Sequence, residues 1–172
     1  PYLLPEGWEW CHIDDIAFKV TDGEHATPLR ADKGFYLLSA RNVTNQGINL
    51  SNVDYVGEHE YNRIRRRCDP DIDDILISCS GSVGRVCLVD KSNTYVMVRS
   101  AALIKPSLKD IYSKYVCYCL RSNLVQNQII IKSRQMAQAN LFLAACRRSI
   151  FLAYQIKYFG SNEAFDRSLA PL

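Results

Sequence analysis

Apolar residues are not spread evenly along this chain, and their spacing divides it into a strand-rich first part and a helical later part. Leu4-Pro5-Glu6-Gly7-Trp8-Glu9-Trp10 reads as an extended lead-in with two aromatics to dock on a core. Ile13-Asp14-Asp15-Ile16-Ala17 reads as a short helical turn with its acids early, where the helix dipole favours them. Asp22-Gly23, Pro28 and Gly34 punctuate residues 21–34 as a loop. The pattern predicts strands at 35–42, 75–79, 85–89 and 95–104, a weaker extended stretch at 48–56, and a short helix within 57–67. Ser80-Gly81-Ser82-Val83-Gly84 is a tight turn whose glycines supply positive φ. After Pro106 the period becomes helical: Ile111, Tyr115, Val116, Tyr118, Cys119 and Leu120 form one apolar face, and 124–131 makes a second helix. Residues 147–154 fit a last strand or the start of a helix. Strands first and helices later argue for an α+β domain with a mainly antiparallel or mixed sheet followed by helices, rather than a doubly wound sheet.

With 172 residues, nearly half of them apolar, the chain can bury one core. No apolar run approaches the roughly 20 residues of a membrane span, so a soluble, cytoplasmic protein is expected. Seven cysteines without a CxxC pair read as buried thiols in a reducing compartment, not a zinc site. The net charge of +3 hides a split. Residues 1–74 carry 8 Lys/Arg against 14 Asp/Glu, whereas residues 75–162 carry 12 Lys/Arg against only Asp90 and Asp110. Such asymmetry suggests a surface for a polyanion, with a solvated basic face as the plainer reading.

Enzyme signatures are hard to find. The Ser80–Gly84 turn lacks the Lys and Ser/Thr that a P-loop places after its last glycine, and its spacing is wrong for a nucleophile elbow. Its backbone amides remain free to meet a phosphate. His12, His25 and His59 do not have metal-ligand spacing. No cofactor is expected.

Three polar segments remain. Asp22, Glu24, His25, Thr27 and Arg30 project from one loop and could read base edges, or be a solvated loop with local bonds. Arg63, Arg65, Arg66 and Arg67 suit phosphates, but the acidic run Asp69, Asp71, Asp73 and Asp74 follows at once and could neutralise them. Lys132 to Asn140 is polar and basic. Its Arg134 could pair with guanine, and Gln135 and Gln138 with adenine.

In order, these segments resemble the DNA target recognition domain of type I restriction-modification specificity subunits. The opening Leu4–Trp10 with Ile13–Ala17 looks like that family's start. Asp22-Gly23-Glu24-His25-Ala26-Thr27-Pro28 is similar to its Asp-Gly-x-His-x-Thr-Pro loop. Phe35 to Ile48, with Ser39-Ala40-Arg41-Asn42-Val43, resembles the next strand and turn. Asp74-Ile75-Leu76-Ile77 with Gly81-Ser82-Val83-Gly84 resembles its Gly-Asp-Ile-Leu-Ile and Gly-Ser-x-Gly stretch, and Gln138-Ala139-Asn140-Leu141 its polar linker. The likeness covers about residues 4–150, so a recognition domain is expected over 1–150. Residues 151–172, beginning Phe151-Leu152-Ala153-Tyr154-Gln155, then form an atypical C-terminal tail in place of the usual spacer helix.

The resemblance implies a non-catalytic component. It would read one half of a bipartite site on double-stranded DNA and dock methyltransferase subunits and a restriction-translocase subunit, which supply the chemistry. The implied base-contacting residues are His25, Thr27, Arg134, Gln135 and Gln138. Arg30 lies in the same loop. Arg41, Asn42, Ser80, Ser82 and Arg85 are expected to meet phosphates or position the loops. The competing readings are a small nucleotide-binding enzyme built on the Gly81–Gly84 turn, and a basic protein-interaction module.

Overall fold

The computed structural model describes residues 3–107, 112–135, 147 and 151–155. In chain order its elements are β1 (Trp8–His12), α1 (Ile13–Ile16), β2 (Ala17–Asp22), β3 (Arg30–Ala31), β4 (Phe35–Leu38), a 3-10 turn (Ala40–Asn42), β5 (Val43–Thr44), β6 (Gly47–Ile48), β7 (Asp54–Val56), α2 (Glu58–Arg65), β8 (Ile75–Ser78), β9 (Val86–Leu88), β10 (Tyr95–Met97), β11 (Ala101–Pro106), α3 (Ser113–Arg121), α4 (Asn123–Gln135) and β12 (Phe151–Gln155). The class is α+β, as the pattern of strands followed by helices implies.

Two four-stranded sheets form the body, in the orders β2-β11-β8-β9 and β10-β4-β7-β3. The first is antiparallel throughout; in the second, β10 and β4 run parallel and the remaining pairs antiparallel. Strand β8 is buried at every position, and the period-two rule divides it between two cores. Ile75 and Ile77 join a core with Val116, Leu120, Val125 and Ile129 of the helices, while Leu76 joins Leu38, Tyr95, Met97 and Leu103 between the sheets. Outside the second sheet, Leu37, Val56 and Val96 pack on Tyr61 and Ile64 of α2, and Phe35 stacks on Tyr61 at 3.7 Å. Helices, sheet, sheet and helix therefore stack in layers.

Two expectations change. The apolar stretch 95–104 is not one strand: it breaks at Val98–Ser100, and its halves β10 and β11 enter different sheets. The expected strand 35–42 stops at Leu38, because Ser39–Asn42 turns. The stretch 151–155, which the resemblance assigns to the tail, pairs antiparallel with β1, Trp8 opposite Gln155, so strand pairing crosses the expected boundary at 150. Among the described residues no helix is long and apolar enough to cross a membrane.

Candidate nucleic-acid interface

Strand β8 runs directly into the Ser80–Gly84 turn, which the chain fixes from inside. Gly81 and Gly84 take φ of 63° and 88°, the left-handed region where a side chain is costly. Ser78 Oγ donates to the Ser82 carbonyl at 2.6 Å and accepts from the Arg85 N–H at 2.9 Å. From outside, Gln126 of α4 donates to the Gly84 carbonyl at 2.9 Å. The turn leads into β9, not into a helix, which removes the geometry a P-loop needs. Ser80, Gly81 and Ser82 are left exposed on a stiff base.

The 3-10 turn faces them. Asn42 is 1% exposed and does not reach the surface. Its carbonyl accepts from the Ser39 N–H at 2.9 Å and its amide donates to the Asn49 carbonyl at 2.9 Å. Of the two roles expected for it, it has the geometry for positioning. Arg85 spans the gap, donating to the Ala40 carbonyl at 2.8 Å, and Ser100 Oγ accepts from the Ala40 N–H at 3.0 Å. Between the walls lies an open cleft of about 480 Å³, lined by the 3-10 turn (Ser39 to Arg41), the Ser80–Ser82 turn, Arg85 and Ser100, with no carboxylate among its lining. The Arg85 Nε–H is buried without a hydrogen-bond partner among the described residues. Hydroxyl and guanidinium donors around an open cleft are the equipment for an oxyanion such as a phosphodiester.

The His25 loop is tied to the same edge. Leaving β2, Gly23 donates to the Ala101 carbonyl at 3.2 Å and Glu24 to the Met97 carbonyl at 2.7 Å, while the Arg99 N–H donates to the Glu24 carbonyl at 3.0 Å. A Cβ on Gly23 would sit 2.3 Å from the Met97 carbonyl oxygen, so this approach admits only glycine. Asp22, 4% exposed, accepts from His25 Nε2 at 2.6 Å through one oxygen and from Arg67 through the other. Arg63 bridges Glu24 at 3.0 Å and Glu60 at 2.8 Å. Burial pushes the Glu24 carboxyl up, but the Ala26 N–H and the Arg63 charge outweigh it and leave Glu24 below its usual value.

The arginine cluster is thus mostly engaged within the fold, though not as its neighbours in sequence suggest. Only Arg65 pairs with the acidic run that follows, at Asp71. Asp69 and Asp74 instead take Lys19 and Lys105. Arg66 is exposed.

Between the His25 loop and the cleft lies Val98–Ser100, the break between β10 and β11. Arg99 is exposed at this point, one residue from the cleft-lining Ser100 and bonded through its N–H to Glu24. Sequence reading missed Arg99 and Ser100 because both lie inside what looks like one strand. Arg30 and Arg41 share the Asp54 carboxylate at 3.2 and 2.9 Å, each about half exposed. Of the expected site residues, Arg41, Ser80, Ser82 and Arg85 meet in the cleft, Asn42 supports it, Arg30 stands beside Arg41, and His25 and the exposed Thr27 lie on the adjoining loop. Arg134 is exposed on α4, about 12 Å along the axis from Gln126, and Gln135 ends that helix. Gln138 lies outside the described residues, so the base contacts expected of Arg134, Gln135 and Gln138 belong with the proposals.

Burial disfavours the thiolate form of several cysteines. Burial pushes Cys11, Cys68 and Cys87 up to about 12 and Cys117 up to about 11.

No family model matches the sequence, nor does any curated protein. Solved structures do match the fold. The HsdS subunit from Thermoanaerobacter tengcongensis superposes with a TM-score of 0.58 at 14% identity, covering 88% of this chain and 34% of that one. The S subunit of a type I restriction-modification system from M. genitalium gives 0.54 at 14%, covering 87% and 35%. A chain of a type I R-M complex gives 0.60 at 15%, covering 92% and 40%. The fold is therefore that of a segment of type I specificity subunits. This chain spans between a third and two fifths of the length of those chains.

Proposed function

We propose that this chain is a non-catalytic reader of double-stranded DNA. It would serve as the target recognition domain of a type I specificity subunit, reading one half of a split site. Methyltransferase and restriction-translocase subunits would assemble around the whole protein and supply the chemistry. The observation that carries this reading is the cleft. Four residues expected from sequence to meet DNA, drawn from two separate segments, line one cavity without a carboxylate. Arg99 and the His25 loop continue the same edge. Phosphates held in the cleft would set register and supply salt-dependent affinity, while the neighbouring loop reads bases.

The test is binding of the whole chain to random-sequence duplexes across a salt series. Affinity should fall linearly on a log–log plot, with a slope of about −0.9 per phosphate contacted. Binding indifferent to salt, or no binding at low ionic strength, would sink the reading. A nucleotide-binding enzyme would instead show saturable nucleotide binding abolished by changes at the Gly81–Gly84 turn.

A further inference from the structure

We infer that His25 is a specificity-determining residue that accepts a hydrogen bond from an exocyclic amino group, adenine N6 or cytosine N4, in the DNA major groove. The assignment rests on the DNA-reading function proposed above and deepens it, because the environment of His25 fixes which way its hydrogen bond must run.

The buried Asp22 carboxylate sets the tautomer. An ionised carboxylate only accepts hydrogen bonds, so the imidazole nitrogen 2.6 Å from it, Nε2, carries the proton. Arg67 also approaches Nε2, at 3.2 Å, but a guanidinium only donates. Nε2 cannot donate to Asp22 and accept from Arg67 at once, and the shorter contact to the carboxylate decides. Arg67 satisfies the other Asp22 oxygen and the Gly23 carbonyl, at 3.3 Å, and is a positioning residue. With Nε2 protonated, Nδ1 is an acceptor in the neutral ring, the form this assignment requires.

That acceptor is available. The His25 side chain is 35% exposed, and Nδ1 has no partner among the described residues. The loop beneath it is stiff: Gly23 and Glu24 are clamped to Met97 and Ala101, and Glu24 to Arg63. A fixed acceptor projecting from a rigid base discriminates by direction. In the major groove, adenine and cytosine present amino donors, whereas guanine and thymine present acceptors at the corresponding edge. An acceptor at Nδ1 selects the first pair and is repelled by the second.

The Asp22→Asn variant turns this into a sharp test. An Asn side chain can keep Arg67 on its carbonyl and offer its amide to Nε2, which makes Nε2 the acceptor and places the proton on Nδ1. The polarity presented to DNA is then reversed. The experiment first selects the preferred duplex for the whole chain from random sequences. Each adenine is then replaced by purine and each cytosine by 2-pyrimidinone, which lack the amino group, and affinity is measured for wild type, His25→Ala and Asp22→Asn. One such replacement should weaken the wild type about tenfold and leave His25→Ala unaffected. Asp22→Asn should move the preference at that base pair toward guanine or thymine. The 15N shifts of the wild-type imidazole should report the Nε2–H tautomer, a readout that holds if Asp22→Asn fails to fold. DNA binding in which no amino replacement couples to His25, an Nδ1–H tautomer, or a ring protonated on both nitrogens overturns the assignment and leaves the DNA-reading function standing. Absence of any duplex binding overturns the function and the assignment with it.

Discussion

At the scale of single residues, the interface divides its polar groups into those that face outward and those that hold them. Arg85 and Arg41 line the cleft and differ in their restraints: Arg85 is anchored on Ala40, while Arg41 is balanced by Asp54. Replacing either by Ala should weaken duplex binding nearly uniformly across sequences and lower the salt slope by about 1. A change confined to one base position would contradict the phosphate role. Replacing Gln135 or Gln138 by Ala should instead relax preference at particular bases. Asn42→Ala belongs to a different category. It strips partners from the Ser39 amide and the Asn49 carbonyl, so thermal or urea denaturation should show a loss of about 1–3 kcal/mol. Sequence reading named Asn42 through its place in the Ser39–Val43 turn, but only the packing shows that its amide points into the protein. The same holds for Arg67 and Arg63, which take Asp22 and Glu24 from 45 and 39 residues back in the chain, while Arg63 also pairs with the nearby Glu60 and Arg65 with Asp71.

Among the elements, β8, β9, α2 and α3 were legible because their apolar period or composition is strong and local. The split of 95–104 was not. Val98, Arg99 and Ser100 carry no Gly or Pro to mark a break in the apolar stretch, and in the fold Glu24 bridges to Val98 at this point. Gly23 is the enabling residue on the opposite side. A methyl group there would collide with the Met97 backbone, so Gly23→Ala should cost about 1–3 kcal/mol in denaturant unfolding and should weaken DNA binding in step. Stability unchanged from wild type would show that the contact yields more readily than the geometry implies. Helix α2 carries a pH signature of its own. The Arg63 guanidinium bonded to Glu60 holds that carboxyl below its ordinary 4.5, and Glu24 is likewise below 4.5. A carboxylate lowered in the folded state stabilises above its unfolded value and loses that contribution as pH falls through the folded one. The melting temperature should therefore decline as pH drops below about 4.5. Arg63→Ala should flatten that part of the profile, and an equally steep decline in the variant would refute the assignment.

For the molecule as a whole, the charge split along the sequence is not a split in space among the described residues. Acidic-half strands β2 and β4 pair with basic-half strands β11 and β10, and Lys105 is buried against Asp74 and Asp69. The basic excess of residues 75–162 therefore cannot be read as one positive lobe. What composition could suggest was a polyanion as partner, and what it could not was the address of the cleft. The pairing of β1 with β12 has a further consequence, in the order of manufacture. Translation delivers Trp8–His12 ahead of its partner Phe151–Gln155, with the whole of residues 13–150 synthesised in between. At ordinary elongation rates the first strand waits on the order of ten seconds for its neighbour, an unpaired edge carrying two tryptophans. Ending the chain at residue 150 makes that wait permanent. Such a product should self-associate in size-exclusion chromatography, where the whole chain does not through this edge. The hazard built into this arrangement falls on the nascent chain, and a cell expressing the protein meets it at the ribosome, before folding is complete.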